Sequence, residues 1–198
     1  MVTPISDMLD LWMVNDHKFS FIPPMEEGLI PIQTPLMASG YDDRALAYLT
    51  EKMEDFHMIP FAAASVSQDD TARPLEAGGA VAASLVTGDL KLGAIGTVTY
   101  VDKEHMVAFG HPFMNRGSSG YFMHNSYIFT VIPSKNIPFK LGSVGAEIGT
   151  VNQDRGAGIS GVSGEFPDFV TLRTSVVDKD TGNERSLNVR MIQNETLL

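Results

Sequence analysis

From Gly78 onward the chain consists of short runs of β-branched and aromatic residues cut by glycine turns, a punctuation that leaves no room for long helices. Ala80 to Val86 is an apolar run that turns at Gly88-Asp89. Ile95 to Val101 alternates through Thr97 and Thr99, and Asp102-Lys103-Glu104 turns it back into His105 to Phe109. Tyr121 to Ile132, Ala146 to Val151, Phe169 to Val177 and Ser186 to Ile192 complete the set, with Asp180-Thr181-Gly182-Asn183 as a hairpin turn. Strands at this density specify a barrel or a sandwich.

The first part of the chain reads differently. Thr3-Pro4 predicts an N-cap followed by proline in the first turn. Ile5, Met8, Leu9, Leu11 and Trp12 then form the apolar face of a helix ending near Asn15. Residues 18–38 are proline-rich and predict short extended pieces. Asp42 and Asp43 predict the cap of a second helix, with Leu46, Leu49, Met53 and Phe56 at helical spacing up to His57. Ile59 to Val66 predicts a strand, and Ser67 to Glu76 a linker. The expected organisation is an N-terminal helical and extended segment with a small α/β unit over residues 1–74, then a β-rich core over 75–198.

Charge and composition exclude several classes of function. A formal net charge of −10 argues against nucleic acid and against anionic membrane surfaces, both of which need Lys and Arg. At 43% hydrophobic residues the chain is too apolar for disorder. Without cysteine there is no disulfide, no thiolate metal site and no cysteine nucleophile. No apolar run approaches the roughly 20 residues of a membrane-spanning helix, and the N-terminus lacks the regions of a signal peptide. It reads as a domain entered abruptly, as in a fragment or a processed chain.

Candidate chemistry gathers between Gly96 and Gly164. In Ala108-Phe109-Gly110-His111-Pro112-Phe113, a strand ends at a flexible glycine and a stiff proline, which presents His111 at the strand end. Such a histidine is either a general base or a structural residue bonded to a loop carbonyl. Gly158-Ile159-Ser160-Gly161 offers the surroundings of a serine nucleophile, or simply a glycine-rich turn or bulge. Gly156 to Gly161 also fits a dinucleotide-binding string. The β-like segment after it, with Glu165-Phe166-Pro167, replaces the helix that a pyrophosphate site needs. Asp154-Arg155 reads as a buried pair tying the loop, with Asp154 able to orient His111 if the fold brings them together. The five histidines, His17, His57, His105, His111 and His124, show no zinc-binding spacing, and no metal or cofactor is expected. The methionines read as core filler, and Asn194-Glu195-Thr196 as a chance glycosylation string.

Five ordered blocks resemble one family. They are Gly96-Thr97-Val98-Thr99-Tyr100-Val101-Asp102, Ala108-Phe109-Gly110-His111-Pro112, Val131-Ile132-Pro133-Ser134, Gly149-Thr150-Val151-Asn152-Gln153-Asp154-Arg155 and Gly158-Ile159-Ser160-Gly161. They resemble the SpoIVB-type serine peptidases of bacterial sporulation and their longer envelope relatives. The likeness spans roughly residues 75 to 195, and more weakly Val2-Thr3-Pro4-Ile5 to Met8-Leu9. It implies a mainly β, trypsin-like peptidase-related barrel, a Ser/His/Asp mechanism on peptide bonds and an exported, cell-envelope setting. The family's histidine lies in a Gly-His motif after a hairpin, which maps onto Gly110-His111 and makes His111 the expected catalytic residue. The family's serine lies in a Gly-Met-Ser-Gly-Ser-Pro string that this chain does not contain. Gly158-Ile159-Ser160-Gly161 matches a downstream segment in which the family needs no serine. In the longer relatives the serine segment and its acid lie upstream and run into a sequence like Val2-Thr3-Pro4-Ile5.

Three readings follow. The chain is a peptidase-family fragment carrying the histidine alone, inactive by itself, whose partner or substrate is a protein or peptide. Alternatively it is a catalytically inactive envelope module that binds protein partners. In the third reading it is a self-contained hydrolase using Ser160, His111 and Asp154, which requires the Ser160 hydroxyl within hydrogen-bond reach of His111.

Overall fold

The computed structural model describes residues 3–14, 34–66, 73–133 and 138–193. The expected helix end at Asn15, His17, the proline-rich stretch up to residue 33, most of the linker, Ser134 and the Asn194 string lie outside them.

The fold is mainly β, with two short helices. Strands β3 (Ala80–Gly88), β4 (Lys91–Asp102) and β5 (His105–Ala108) form an antiparallel meander. Strands β6 (Gly117–Ile132), β7 (Phe139–Arg155) and β8 (Gly158–Ser163) form a second. β5 then pairs with β8, and β6 with β3, so the order β3-β4-β5-β8-β7-β6 closes on itself as a six-stranded antiparallel barrel.

A barrel this narrow has little room inside, and the sequence answers with a mixture of very small and long flexible residues. Ala83 faces Ala94 on β4 and Met123 on β6, and Met123 faces Gly149 on β7. On the opposite wall Met106 of β5 faces Gly161 of β8. A Cβ on Gly161 would lie 2.6 Å from the Thr150 carbonyl oxygen, 3.0 Å from the Met106 methyl and 3.0 Å from the Met123 sulfur. Gly158 to Gly161 is therefore part of a buried wall strand, not the turn or bulge the sequence suggests. Its glycines are there because neighbouring chains approach closely, a reason that no local pattern reveals.

The N-terminal elements are laid on this barrel. Helix α1 (Ile5–Leu9) continues as a 3-10 turn over Asp10–Met13, burying Met8 and Leu11. The expected Thr3 cap does not form. Pro4 takes the capping position, and the Thr3 hydroxyl donates instead to the Gly110 carbonyl at 2.5 Å. The Trp12 indole donates to the Met106 carbonyl at 3.3 Å, fastening the same segment to β5.

Strand β1 (Thr34–Ser39), helix α2 (Asp43–Met53) and strand β2 (Met58–Ala62) make a parallel βαβ unit whose β1 pairs antiparallel with the start of β4. Asp42 caps α2 by accepting from the Ala45 amide at 2.7 Å. Leu46, Leu49, Met53 and Phe56 pack on the main core, which Leu36, Ala38 and Met58 share. At the far side, β9 (Phe169–Val177) and β10 (Glu184–Ile192) form a hairpin joined to the end of β3.

Replacing Gly161 with alanine forces the Thr150 backbone or both methionines to move. The expected loss is about 1–3 kcal/mol of stability, read as a lower denaturant midpoint at unchanged slope. An unchanged midpoint contradicts the close packing assigned to β8.

Candidate functional site

β5 leaves the barrel through two successive left-handed residues, Phe109 (φ 73°) and Gly110 (φ 72°). Phenylalanine resists that conformation, so its neighbours must hold it there. The Phe109 amide donates to the Thr97 carbonyl at 3.0 Å, and the Gly110 amide to the Ala108 carbonyl at 2.9 Å. The Phe109 ring lies against Gly96, in space that a Cβ would occupy. With the Thr3 hydroxyl on the Gly110 carbonyl, the turn is fixed from three sides.

His111 projects from this turn into solvent. Its ring lies 5.6 Å from the Phe109 ring between centroids, and its Nδ1 lies 2.8 Å from the Pro112 carbonyl oxygen. A carbonyl only accepts, so Nδ1 carries the proton in this contact, and the neutral ring keeps its lone pair on Nε2. The loop carbonyl foreseen for a structural histidine is present. The ring is nevertheless exposed and in the tautomer that a base at Nε2 requires.

The other two sequence candidates are engaged elsewhere. Ser160 is buried on β8, opposite Val107 and Gln153, and its hydroxyl donates to the Asn152 side-chain oxygen at 3.0 Å. Asp154 is fully buried at the end of β7. It accepts from the Phe113 and Met114 amides, each at 2.7 Å, and from the Tyr121 hydroxyl at 3.0 Å. Burial still raises the Asp154 carboxyl above its usual range, with those hydrogen bonds and the Arg116 amide opposing the shift. Burial, and then the neighbouring carboxylate, holds the Tyr121 hydroxyl protonated. Neither Ser160 nor Asp154 is hydrogen-bonded to His111. The expected Asp154-Arg155 tie is replaced as well: the aspartate takes the loop amides, while the Arg155 Nε donates to Gln153 at 2.8 Å. Asp154 thus fixes the loop that follows His111 without touching the imidazole.

His124 was not singled out in the sequence, and it lies in the most unusual environment of the described histidines. It is buried on β6, with Nδ1 3.1 Å from the Gly145 carbonyl oxygen and Nε2 without a partner among the described residues. Burial pulls it down to about 4. The Gly145 bond opposes that shift, and the charges of Lys91 and Arg190 reinforce it. Its register partner on β7, Glu147, is paired with Arg190. Among the described residues no group of three His, Asp or Glu side chains is placed to hold a metal ion, and no helix is long and apolar enough to cross a membrane. Compared with known proteins, the chain matches no family model, no curated protein and no solved structure.

Changing Asp154 to alanine strands two buried amides and a phenol. The expected loss is about 3 kcal/mol, with faster hydrogen exchange at the Phe113 and Met114 amides while the β3–β4 amides keep their protection. Uniform loosening of the whole barrel contradicts a local clasp.

For His124 the sign follows from linkage. The unfolded chain binds this proton near the ordinary 6.5 and the folded chain only near 4, so the unfolded state holds more protons between those values. Stability therefore falls as pH drops through that window, by roughly 3 kcal/mol from this residue. His124→Phe flattens that part of the stability-against-pH curve, and an unaltered slope contradicts the assignment.

Proposed function

We propose that this chain is a SpoIVB-like serine-peptidase-type domain that carries the histidine of the mechanism and does not hydrolyse peptide bonds by itself. The observation that carries this reading is the His111 turn. A strained left-handed Phe109 followed by a left-handed Gly110, pinned by Gly96, Thr97 and Thr3, exposes an imidazole whose Nδ1 is held by a carbonyl. Backbone strain of this kind concentrates at functional sites, and with Nδ1 tethered as a donor Nε2 is the nitrogen that carries the lone pair of the neutral ring, the atom a general base uses. The nucleophile and its acid come from another segment, the substrate is a protein or peptide, and the setting is exported, at the cell envelope.

A second reading, an inactive peptidase-like module that binds protein partners, draws on a different observation. The only serine in the glycine-rich block is buried and engaged with Asn152.

The purified chain is expected neither to cleave a fluorogenic casein nor to take up a fluorophosphonate label. Label at Ser160, lost on Ser160→Ala, overturns both readings. Co-expression with a segment bearing the Gly-Met-Ser-Gly-Ser-Pro string and its acid separates them. The peptidase reading expects labelling of that serine that His111→Ala abolishes, and no labelling with a folded complex favours the binding module.

A further inference from the structure

β9 is the last strand of the sheet: β10 covers one of its edges, and no described strand covers the other. All nine of its residues are exposed. The register with β10 places Val170, Leu172, Thr174 and Val176 on one face and Phe169, Thr171, Arg173, Ser175 and Val177 on the other. Val170, Leu172 and Val176 are 40%, 47% and 58% exposed, so a row of apolar side chains runs beside an unpaired backbone edge.

Proteins ordinarily block such an edge with a proline, a bulge, several charges or a very short strand. β9 has no proline, and its register with β10 is unbroken over all nine residues. Its single charge is Arg173, at the middle of the strand. Asn188 lies across from it on β10, and no acid among the described residues pairs with it. That position discriminates between occupants. A second copy pairing antiparallel with full overlap sets Arg173 against Arg173, and like charges directly opposite destabilise a strand pair. A foreign strand with a carboxylate there gains a cross-strand ion pair instead.

We propose that β9 is a docking edge for an extended, apolar segment of a partner protein that carries a carboxylate opposite Arg173. The backbone edge supplies hydrogen bonds, the Val170-Leu172-Val176 row receives alternate apolar side chains, and Arg173 sets the register. The proposal stands on β9 alone and is independent of the role given to His111.

The register dictates the probe: a fluorescein-labelled peptide Thr-Val-Thr-Val-Glu-Val-Thr-Val-Thr, whose valines oppose residues 176, 174, 172 and 170 and whose glutamate opposes Arg173. By fluorescence anisotropy with the whole chain, it is expected to bind about fivefold more tightly than the same peptide with a central lysine. Arg173→Glu, at a fully exposed site and checked for folding by circular dichroism, is expected to invert that preference. Methylating alternate peptide amides on the pairing side is expected to abolish binding. Binding indifferent to the central residue, to R173E and to amide methylation overturns the proposal. So does a free chain that sediments as a β9-paired dimer the peptide cannot dissociate, or one that floats with phosphatidylcholine vesicles through this hairpin and ignores the peptide.

Discussion

The loop leaving β5 can return to the barrel as β6 because the carboxylate of Asp154, buried at the end of β7, accepts two consecutive amides from it. Burying a charge is costly unless it is well bonded. Here the donors are chosen to compensate: the Phe113 and Met114 amides would otherwise be orphaned below the surface, and the Tyr121 hydroxyl would be buried without an acceptor. One side chain thus satisfies three polar groups, from a loop and the strand it enters, that all lie far from it in sequence. The start of β6, the edge-to-face contact of Phe113 with Tyr121 and the exit of the His111 turn all take their positions from it.

The same economy of space governs the barrel itself. Six strands enclose little volume, so branched residues such as Val81, Val98, Val151 and Ile159 share the core with smaller and more flexible ones. Where the walls come closest, Met106 and Met123 reach over Gly149 and Gly161, and Ala83 faces Ala94. Unbranched thioethers suit such gaps, and glycine is required where a neighbouring carbonyl or methionine occupies the place of a Cβ.

This explains which parts of the fold were legible in the sequence. Strands with alternating or β-branched runs, such as β4 and β6, declare themselves, as does α2 through Asp42 and its apolar spacing. β8 does not, because glycines selected by contacts with β5 and β7 look locally like a turn. Thr3 misleads for a related reason: its hydroxyl has a partner in the Gly110 carbonyl, more than a hundred residues away, that no helix-start pattern contains. In the candidate site, His111 and its exposure were legible from Gly110 and Pro112. The duty of Asp154 was not, since it depends on which loop amides arrive beside it. His124 carried no signal, because a histidine within an apolar strand looks the same whether its ring faces solvent or the interior.

The tether on His111 also limits what this imidazole can do. A carbonyl oxygen fixes the tautomer as well as a carboxylate does, but it carries no full charge. An imidazolium formed by taking a proton at Nε2 therefore gains less from Pro112 than it would from an aspartate. Asp154 cannot supply that charge: its oxygens already serve the loop amides and Tyr121, and redirecting them would leave those donors buried and unpaired. On the peptidase reading, a segment that supplies the nucleophile would therefore have to bring negative charge as well, because no acid among the described residues pairs with this imidazole.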